Sequence, residues 1–126
     1  MTNSRKLLSI IICAYNERRT ILEAIDQARH IDPGPDWARE IIVVDNYSTD
    51  GTRELLQSVD LPHVHVVFHS RNRGKSGSIL SGINRAHGDY FVIFDADLEY
   101  EARDLTRMVD AVNPENTVAV FGSRTL

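Results

Sequence analysis

The chain has 126 residues, of which 42% are hydrophobic and 25% are charged, and its formal net charge is −4. These values are ordinary for one soluble globular domain, and the acidic balance gives no general attraction for nucleic acid or anionic membranes. A single cysteine, Cys13, excludes an intrachain disulfide and is compatible with a cytoplasmic protein.

Hydrophobic patterning predicts two strands and two helices in the first half of the chain. Residues 7–14 are rich in β-branched side chains and predict a buried strand, because charged residues follow at once without the cleavage site of a signal peptide. Asn16 is predicted to cap a helix with the apolar stripe Ile21, Leu22, Ala24, Ile25 and Ala28. Residues 40–44 predict a second strand, and residues 52–59 a short helix after a turn.

The second half continues the alternation. A strand is predicted at residues 64–68, followed by a polar run and a helix that ends at Gly88 and carries its apolar face on Ile79, Leu80, Ile83 and Ala86. Residues 90–94 predict a strand buried on both faces. A fourth helix with Leu105, Met108, Val109 and Val112 on one side and a fifth strand at residues 118–121 complete the pattern.

The alternation of strands and helices predicts an α/β fold with a mainly parallel sheet and helices on both faces. In such sheets ligands bind beyond the carboxyl ends of the strands, near the point where the strand order reverses. Polar residues follow four of the predicted strands, at residues 15–17, at Asp45, at residues 71–75, and at Asp95 with Asp97. Their convergence predicts a ligand site at this edge.

Asp95 and Asp97 end the predicted strand at residues 90–94. Side chains alternate along a strand, so the two carboxylates project to the same side and need a compensating cation. A hard divalent ion such as Mg²⁺ or Mn²⁺ meets that need and keeps positions open for substrate phosphates. The alternative is an acidic pair that begins a solvated loop, with Asp97 capping a helix.

Asp45 and the basic loop supply nucleotide-binding chemistry. An acid after the second strand commonly accepts hydrogen bonds from a ribose or base, although Asp45 can also serve the N-terminus of the following helix. Arg71, Arg73 and Lys75 place three cations before a helix N-terminus, where phosphate binds readily. A solvated basic loop is the alternative, and a P-loop is incomplete because His69 stands where its first glycine is required.

Other chemistries have little support. The five histidines lack any metal-ligand spacing, and no G-x-S-x-G elbow is present. Cys13 lies in an apolar segment, where a cysteine is ordinarily a structural residue and not a nucleophile.

With these residues in place, the chain resembles the nucleotide-binding half of the family 2 glycosyltransferases with the GT-A fold. The resemblance is greatest to the branch around dolichyl-phosphate mannose synthase and bacterial polyprenyl-phosphate glycosyltransferases. The matching segments follow the family's order and spacing across essentially the whole chain, and they are residues 11–17, 40–52, 71–75, 88–90, 95–98 and 122–124.

This resemblance implies a donor site for a nucleoside-diphosphate sugar, GDP- or UDP-linked, and metal-assisted inverting transfer of the sugar. The implied metal ligands are Asp95, Asp97 and Glu99, with Mg²⁺ or Mn²⁺ as cofactor, and Asp97 and Arg124 are the implied catalytic residues. A polyprenyl phosphate at a membrane surface is one implied acceptor, and no nucleic acid is involved. The implied donor-binding residues are Tyr15, Asn16, Glu17, Val44, Asp45, Arg73, Lys75, Asp95 and Ala96.

The chain also departs from the family pattern. Cys13 replaces a frequent proline, Asn46 and Tyr47 replace the second acid and the glycine of an acidic pair followed by glycine, and Glu99 stands where near relatives often have glutamine. Family members usually continue beyond Arg124, into the part that binds the acceptor. Residues 1–126 are therefore expected to form a nucleotide-sugar-binding GT-A domain without the acceptor-binding half, better at binding a donor than at transfer and prone to form a homo-oligomer.

Two alternatives remain open. A nucleotide-sugar-binding module without transferase activity would bind the same donor without turnover. A phosphoaccepting signalling domain shares the alternating α/β pattern, but it needs an acidic pair after the first strand, where this chain has Tyr15, Asn16 and Glu17.

Overall fold

The computed structural model describes residues 5–96, with the backbone but not the side chain of Asp95. The elements of this part alternate between strand and helix as the sequence predicts. They are β1 (Lys6–Ala14), α1 (Ile21–Arg29), β2 (Trp37–Asp45), α2 (Thr52–Gln57), β3 (Val64–Phe68), α3 (Gly74–Arg85) and β4 (Tyr90–Asp95). The helix and strand predicted within residues 105–121 lie outside the described residues.

The four described strands form one sheet in the order β3-β2-β1-β4, and all neighbouring pairs are parallel. The chain moves outward from β1 to β2 and β3, and then crosses back through α3 to place β4 on the other side of β1. The order therefore reverses between β1 and β4, which makes their carboxyl ends the expected ligand site. The predicted α/β fold with a parallel sheet is confirmed.

Helices cover both faces of the sheet, as predicted. On one face, α1 and α2 pack on alternate residues of β1, β2 and β4 in the larger hydrophobic cluster, to which Ile10, Ile12, Val43 and Phe94 belong. On the other face, Ile11, Ile42 and Val44 form a smaller cluster beneath α3. Because both faces are covered, the strands are nearly continuous apolar runs. None of the described helices has the length and apolar character needed to cross a bilayer.

The predicted apolar face of α3 is partly wrong. Leu80 is 59% exposed, whereas Ser78 and Gly82 are buried against the sheet. Successive residues of an α-helix turn by about 100°, so Leu80 lies roughly 200° from both Ser78 and Gly82 and points to the opposite side. The close approach of Gly82 to Ile11 selects the buried face, because a methyl group at Gly82 would come within 2.5 Å of Ile11 Cγ2.

Replacing Leu80 by glutamine is therefore expected to leave the free energy of unfolding unchanged within about 0.5 kcal/mol, as for an exposed site. Urea denaturation of the wild type and of Leu80→Gln measures the difference. A loss of more than about 2 kcal/mol, the magnitude typical of a core leucine, would show that Leu80 is buried and would contradict the structure.

Two predicted helix caps are also wrong. Helix α1 begins after Thr20, and the Asn16 side chain accepts a hydrogen bond from Thr49 N–H instead of capping the helix. Helix α3 ends with the extended residue Ala86 as its C-cap, two residues before Gly88. Gly88 is instead required for close packing, because a Cβ there would meet Ser9 Oγ and backbone carbonyl oxygens.

Candidate functional site

A polar cleft of about 300 Å³ lies at the carboxyl edge of the sheet, where β1 ends and α3 begins. One wall is formed by the end of β1 and the loop after it, and the other by Asn46 and the start of α3. Its position beside β1 places it at the reversal of the strand order, where the sequence predicts the ligand site. The lining residues are Cys13, Ala14, Tyr15, Glu17, Asn46, Asn72, Gly74, Lys75 and Ser78.

The loop after β1 is held by hydrogen bonds to the loop after β2. Asn16 N–H donates to Ser48 Oγ at 2.9 Å, and Glu17 N–H donates to Thr52 Oγ1 at 2.9 Å. In return, Thr49 N–H donates to Asn16 Oδ1 at 2.8 Å. Asn16 has a φ of 54°, a left-handed conformation that asparagine tolerates better than most residues. These bonds fix the loop that presents Tyr15 and Glu17 to the cleft.

Asn46 joins the loop after β2 to the start of α3. Its Oδ1 accepts hydrogen bonds from Arg73 N–H at 2.8 Å and lies 3.0 Å from His69 Nδ1, while its Nδ2 donates to Asn72 Oδ1 at 3.0 Å. Asn72 Oδ1 also accepts from Gly74 N–H. Asn46 is only 5% exposed. Its side chain therefore fixes the wall of the cleft that α3 provides.

His69 is buried behind this wall. Burial lowers its pKa below the ordinary value, the nearby Arg73 lowers it further, and Asp45 opposes the shift only in part. The neutral ring donates from Nδ1 to Asn46 Oδ1, since that oxygen can only accept, and its Nε2 accepts from the Ser81 hydroxyl at 2.7 Å. His69 thus holds Asn46 in place as a neutral donor.

The lowered pKa of His69 predicts a loss of stability in mild acid. As the pH falls, His69 is protonated in the unfolded state before it is protonated in the folded state. The stability that neutral His69 contributes is therefore fully present above pH 6.5 and is lost as the pH falls through the lowered folded-state pKa. Urea denaturation over this range should show a steeper pH dependence for the wild type than for His69→Gln. Equal slopes for the two proteins would exclude the buried neutral imidazole as the cause.

The amino end of α3 provides the cationic side of the cleft. Lys75 lies in the first turn of this twelve-residue helix, where the positive end of the helix dipole favours an anion. Ser78 lines the same cleft one turn further on, with a residue exposure of 1%, and no group within residues 5–96 forms a hydrogen bond with its hydroxyl. Buried hydroxyl groups are nearly always paired. The Ser78 hydroxyl is therefore a candidate hydrogen-bonding group for a ligand in the cleft.

Asp45 has no exposed surface and lies behind the cleft lining. Its Oδ2 accepts from Ser48 N–H and contacts Arg53 Nη1, each at 3.3 Å. No described group bonds its Oδ1. The nucleoside contact proposed for Asp45 thus stays a prediction, and it requires the loop after β2 to open toward the ligand.

The structure brings only some of the predicted residues together. Tyr15, Glu17 and Lys75 line the cleft, whereas Asn16 supports its loop, Val44 belongs to the core beneath α3, and the Arg73 side chain lies outside the lining. Ala96 is buried. The predicted residues Asp97, Glu99 and Arg124 lie outside the described part of the chain.

Three polar cleft residues were not among the predicted donor-binding residues: Asn46, Asn72 and Ser78. The importance of Asn46 could have been predicted from the sequence, because it follows a buried strand directly and replaces the second acid of the acidic pair that the family has there. Ser78 gives no signal in a one-dimensional pattern, since a serine in a helix is ordinarily exposed or neutral.

Within residues 5–96, no three histidine, cysteine, aspartate or glutamate side chains converge on a point that could hold a metal ion. The backbone of Asp95 is in register with Cys13, a residue of the cleft lining. The predicted acidic pair therefore starts beside the cleft, which fits a metal at its rim.

A parallel sheet of this order, with a polar cleft at the reversal point and a helix N-terminus in its wall, defines the class of nucleotide-binding α/β domains. Residues 9–126 match the family model described as Glycosyl transferase family 2. The chain belongs to that family.

Curated relatives and solved structures agree with this assignment. The chain is 32% identical over 118 residues to the dolichol-phosphate mannosyltransferase of Pyrococcus furiosus, and this match covers 93% of the chain and 33% of the relative. It is 33% identical over 107 residues to the undecaprenyl-phosphate 4-deoxy-4-formamido-L-arabinose transferase of Yersinia pestis, covering 82% of the chain and 33% of that protein. The chain thus spans about a third of the length of these relatives.

Among solved structures, the mannosyltransferase PcManGT from Pyrobaculum calidifontis, in complex with GDP-Man and Mn²⁺, superposes with a TM-score of 0.69 and 31% identity. That match covers 83% of this chain and 32% of the other. Staphylococcus aureus TarS superposes with a TM-score of 0.60 at 22% identity, which shows the shared fold alone. The predicted GT-A fold is thereby confirmed.

Proposed function

We propose that this chain binds the nucleoside-diphosphate sugar donor of a glycosyltransferase in the cleft between β1 and α3. The observation that carries the proposal is that one cleft at the strand-order reversal is lined by both Lys75 and Ser78, whose buried hydroxyl has no hydrogen-bond partner in the described part of the chain. A cation at the N-terminus of a helix favours an anionic ligand, and the buried hydroxyl supplies a directional contact. GDP- and UDP-linked sugars both have this chemistry.

Each side of the cleft has a distinct part in donor binding. Tyr15 is 46% exposed and offers a ring face to the base, while Glu17 offers carboxylate oxygens to the hydroxyl groups of the ribose. Lys75 neutralises charge on the diphosphate, and the Ser78 hydroxyl donates to one of its oxygens. Asp45 joins the nucleoside contacts when its loop opens, and Arg73 adds positive charge at the rim.

Mg²⁺ or Mn²⁺ is the proposed cofactor, with Asp95, Asp97 and Glu99 as ligands and Asp97 and Arg124 as catalytic groups. The Mn²⁺ and GDP-Man complex of PcManGT supports a divalent ion beside the donor. A bound cation supplies charge stabilisation for the leaving nucleoside diphosphate. The residues of this chain would hold the diphosphate and orient the sugar, and a single displacement by the acceptor then inverts the anomeric carbon.

A polyprenyl phosphate is the proposed acceptor. The names of the Pyrococcus and Yersinia relatives, which specify dolichol phosphate and undecaprenyl phosphate, support an acceptor of this class. The phosphate oxygen of such an acceptor is already anionic, so its attack on the sugar needs no general base. An acceptor carried in a membrane also fits peripheral association of the protein with the bilayer surface.

Replacing Lys75 by glutamine is expected to weaken binding of a nucleoside diphosphate by about 1–2 kcal/mol, because it removes a charged hydrogen-bond donor at a partly solvated site. Ser78→Ala is expected to cost about 0.5–1.5 kcal/mol, the usual value for one neutral hydrogen bond. Isothermal titration calorimetry measures both, with the exposed residue change Arg19→Gln as a control outside the cleft lining. Unchanged affinity in Lys75→Gln would place the ligand elsewhere.

A further inference from the structure

A second groove lies at the opposite, amino-terminal edge of the sheet. It has a volume of about 610 Å³, within the size range of small-molecule sites. The groove lies where β1 and β2 begin and α1 ends, and its lining includes Trp37, Ile41, Arg5, Arg29, Arg39 and Glu40. From Trp37 to Asp45 the strand rises roughly 26 Å at about 3.3 Å per residue, so the groove is remote from the donor cleft.

The groove is a local centre of positive charge in an acidic chain. Within residues 5–96, no carboxylate lies within ion-pair distance of the guanidinium groups of Arg5, Arg29 and Arg39. Arg5 instead donates from Nη2 to the carbonyl oxygen of Trp37 at 3.1 Å, which holds it over the groove. The chain as a whole has a net charge of −4, so this concentration of cations is not a consequence of composition.

The acidic residue of this lining, Glu40, already has hydrogen-bond partners within the protein. Its Oε2 accepts hydrogen bonds from Ser9 Oγ and from His87 N–H, each at 2.6 Å. Burial raises the pKa of Glu40, but these hydrogen bonds and the nearby His87 outweigh burial and hold the pKa below its usual value. Glu40 is therefore ionised, with Oε2 bonded to Ser9 and His87 and Oε1 at 3.9 Å from His65 Nε2 of the same lining, and three guanidinium groups against one carboxylate leave a positive groove.

The lining also offers apolar contact. Trp37 is half-buried, with its ring edge-on to Tyr90 at a centroid distance of 5.5 Å, and the half-buried Leu7 lines the same groove. Guanidinium groups bind phosphate oxygens through paired hydrogen bonds, and an indole binds an apolar body. The two features together select a ligand that has both parts.

We propose that this groove binds a phosphate group carried on an apolar body, at a site independent of the donor cleft. The phosphate lies among Arg5, Arg29 and Arg39, and the apolar part packs on Trp37. A soluble phosphate monoester and the headgroup of an anionic lipid share this chemistry. Because the groove is separated from the donor cleft by the length of the sheet, the ligand anchors or regulates the protein and is not the molecule that receives the sugar.

Trp37 is the single tryptophan of the chain, so its fluorescence reports on the groove directly. Titration with hexyl phosphate is expected to change Trp37 emission saturably, and titration with hexanol is not. In Arg29→Gln/Arg39→Gln the apparent affinity should fall by roughly tenfold or more, since two charged phosphate contacts are lost. The matched double change Arg18→Gln/Arg19→Gln removes the same charge at the other edge and should leave the affinity unchanged.

A second titration uses vesicles that contain phosphatidic acid. It distinguishes a soluble phosphate monoester from a lipid headgroup as the ligand. A Trp37 response to hexyl phosphate without a response to vesicles assigns a soluble ligand, and a vesicle response that Arg29→Gln/Arg39→Gln removes assigns a headgroup. Arg39→Lys keeps the charge and should retain part of the response. The proposal is overturned if neither probe changes Trp37 emission, or if Arg29→Gln/Arg39→Gln responds as the wild type does. Lys75→Gln should respond normally, which separates this site from the donor cleft.

Discussion

Replacing Asn46 by alanine is expected to lower the free energy of unfolding by about 2–4 kcal/mol and to abolish donor binding. The change removes the acceptor for Arg73 N–H and His69 Nδ1–H and the donor to Asn72 Oδ1. A buried donor left without a partner costs about 1–3 kcal/mol, which applies to His69 Nδ1–H, and the partly buried hydrogen bond of Arg73 N–H is lost as well. Because the same bonds hold the α3 wall of the cleft, ligand affinity falls with stability. Urea denaturation and calorimetry measure the two effects.

Asn46→Asp is the matched control. Aspartate keeps an acceptor oxygen for Arg73 N–H and His69 and loses only the donation to Asn72. It should therefore retain most of the stability that Asn46→Ala loses, and its negative charge should raise the pKa of His69 relative to the wild type. If Asn46→Ala were as stable as the wild type, this residue would not organise the cleft.

Replacing Gly82 by alanine is expected to destabilise the protein by about 1–3 kcal/mol, the usual cost of overpacking a core. The added Cβ would lie 2.5 Å from Ile11 Cγ2, and Ile11 is fully buried, so it has no open space into which to move. Helix propensity alone predicts the opposite sign, because alanine favours a helix interior by about 1 kcal/mol over glycine. The direction of the measured change therefore decides between local propensity and packing.

Ser76→Ala controls for propensity in the same helix. Ser76 is exposed in the first turn of α3, so the change should be neutral or stabilising by a few tenths of a kcal/mol. Thermal or urea denaturation of both variants gives the comparison. A Gly82→Ala protein as stable as Ser76→Ala would mean that α3 does not pack on Ile11 as closely as the structure shows.

The architecture could be predicted because the buried strands carry strong local signals. The apolar runs of β1, β2 and β4 and the breakers between them indicate alternating elements, and the preference for short right-handed crossovers leaves few arrangements. The predicted limits of β3 agree with the structure at both ends. The caps could not be predicted as well, since Asn16 and Gly88 make long-range contacts that no local pattern contains.

The site could be predicted in outline but not in detail. The positions of Tyr15, Glu17 and Lys75 follow from the rule that strand ends converge at one edge of the sheet. The burial of Asp45 could not be predicted, because it depends on Arg53 and Ser48 folding back over the carboxylate. The role of Asn46 likewise depends on partners 23 to 27 residues away in the chain.

The function proposed for this chain is binding of a nucleoside-diphosphate sugar with the help of a divalent ion. Calorimetric titration of the chain with GDP-mannose and a panel of UDP-sugars, with Mn²⁺ and then with a chelator, tests it most directly. The expected result is binding of at least one donor that requires Mn²⁺ and that both Lys75→Gln and Asp97→Ala weaken. Absence of binding to every donor in the presence of Mn²⁺, or binding that is equally tight with the chelator, would contradict the claim.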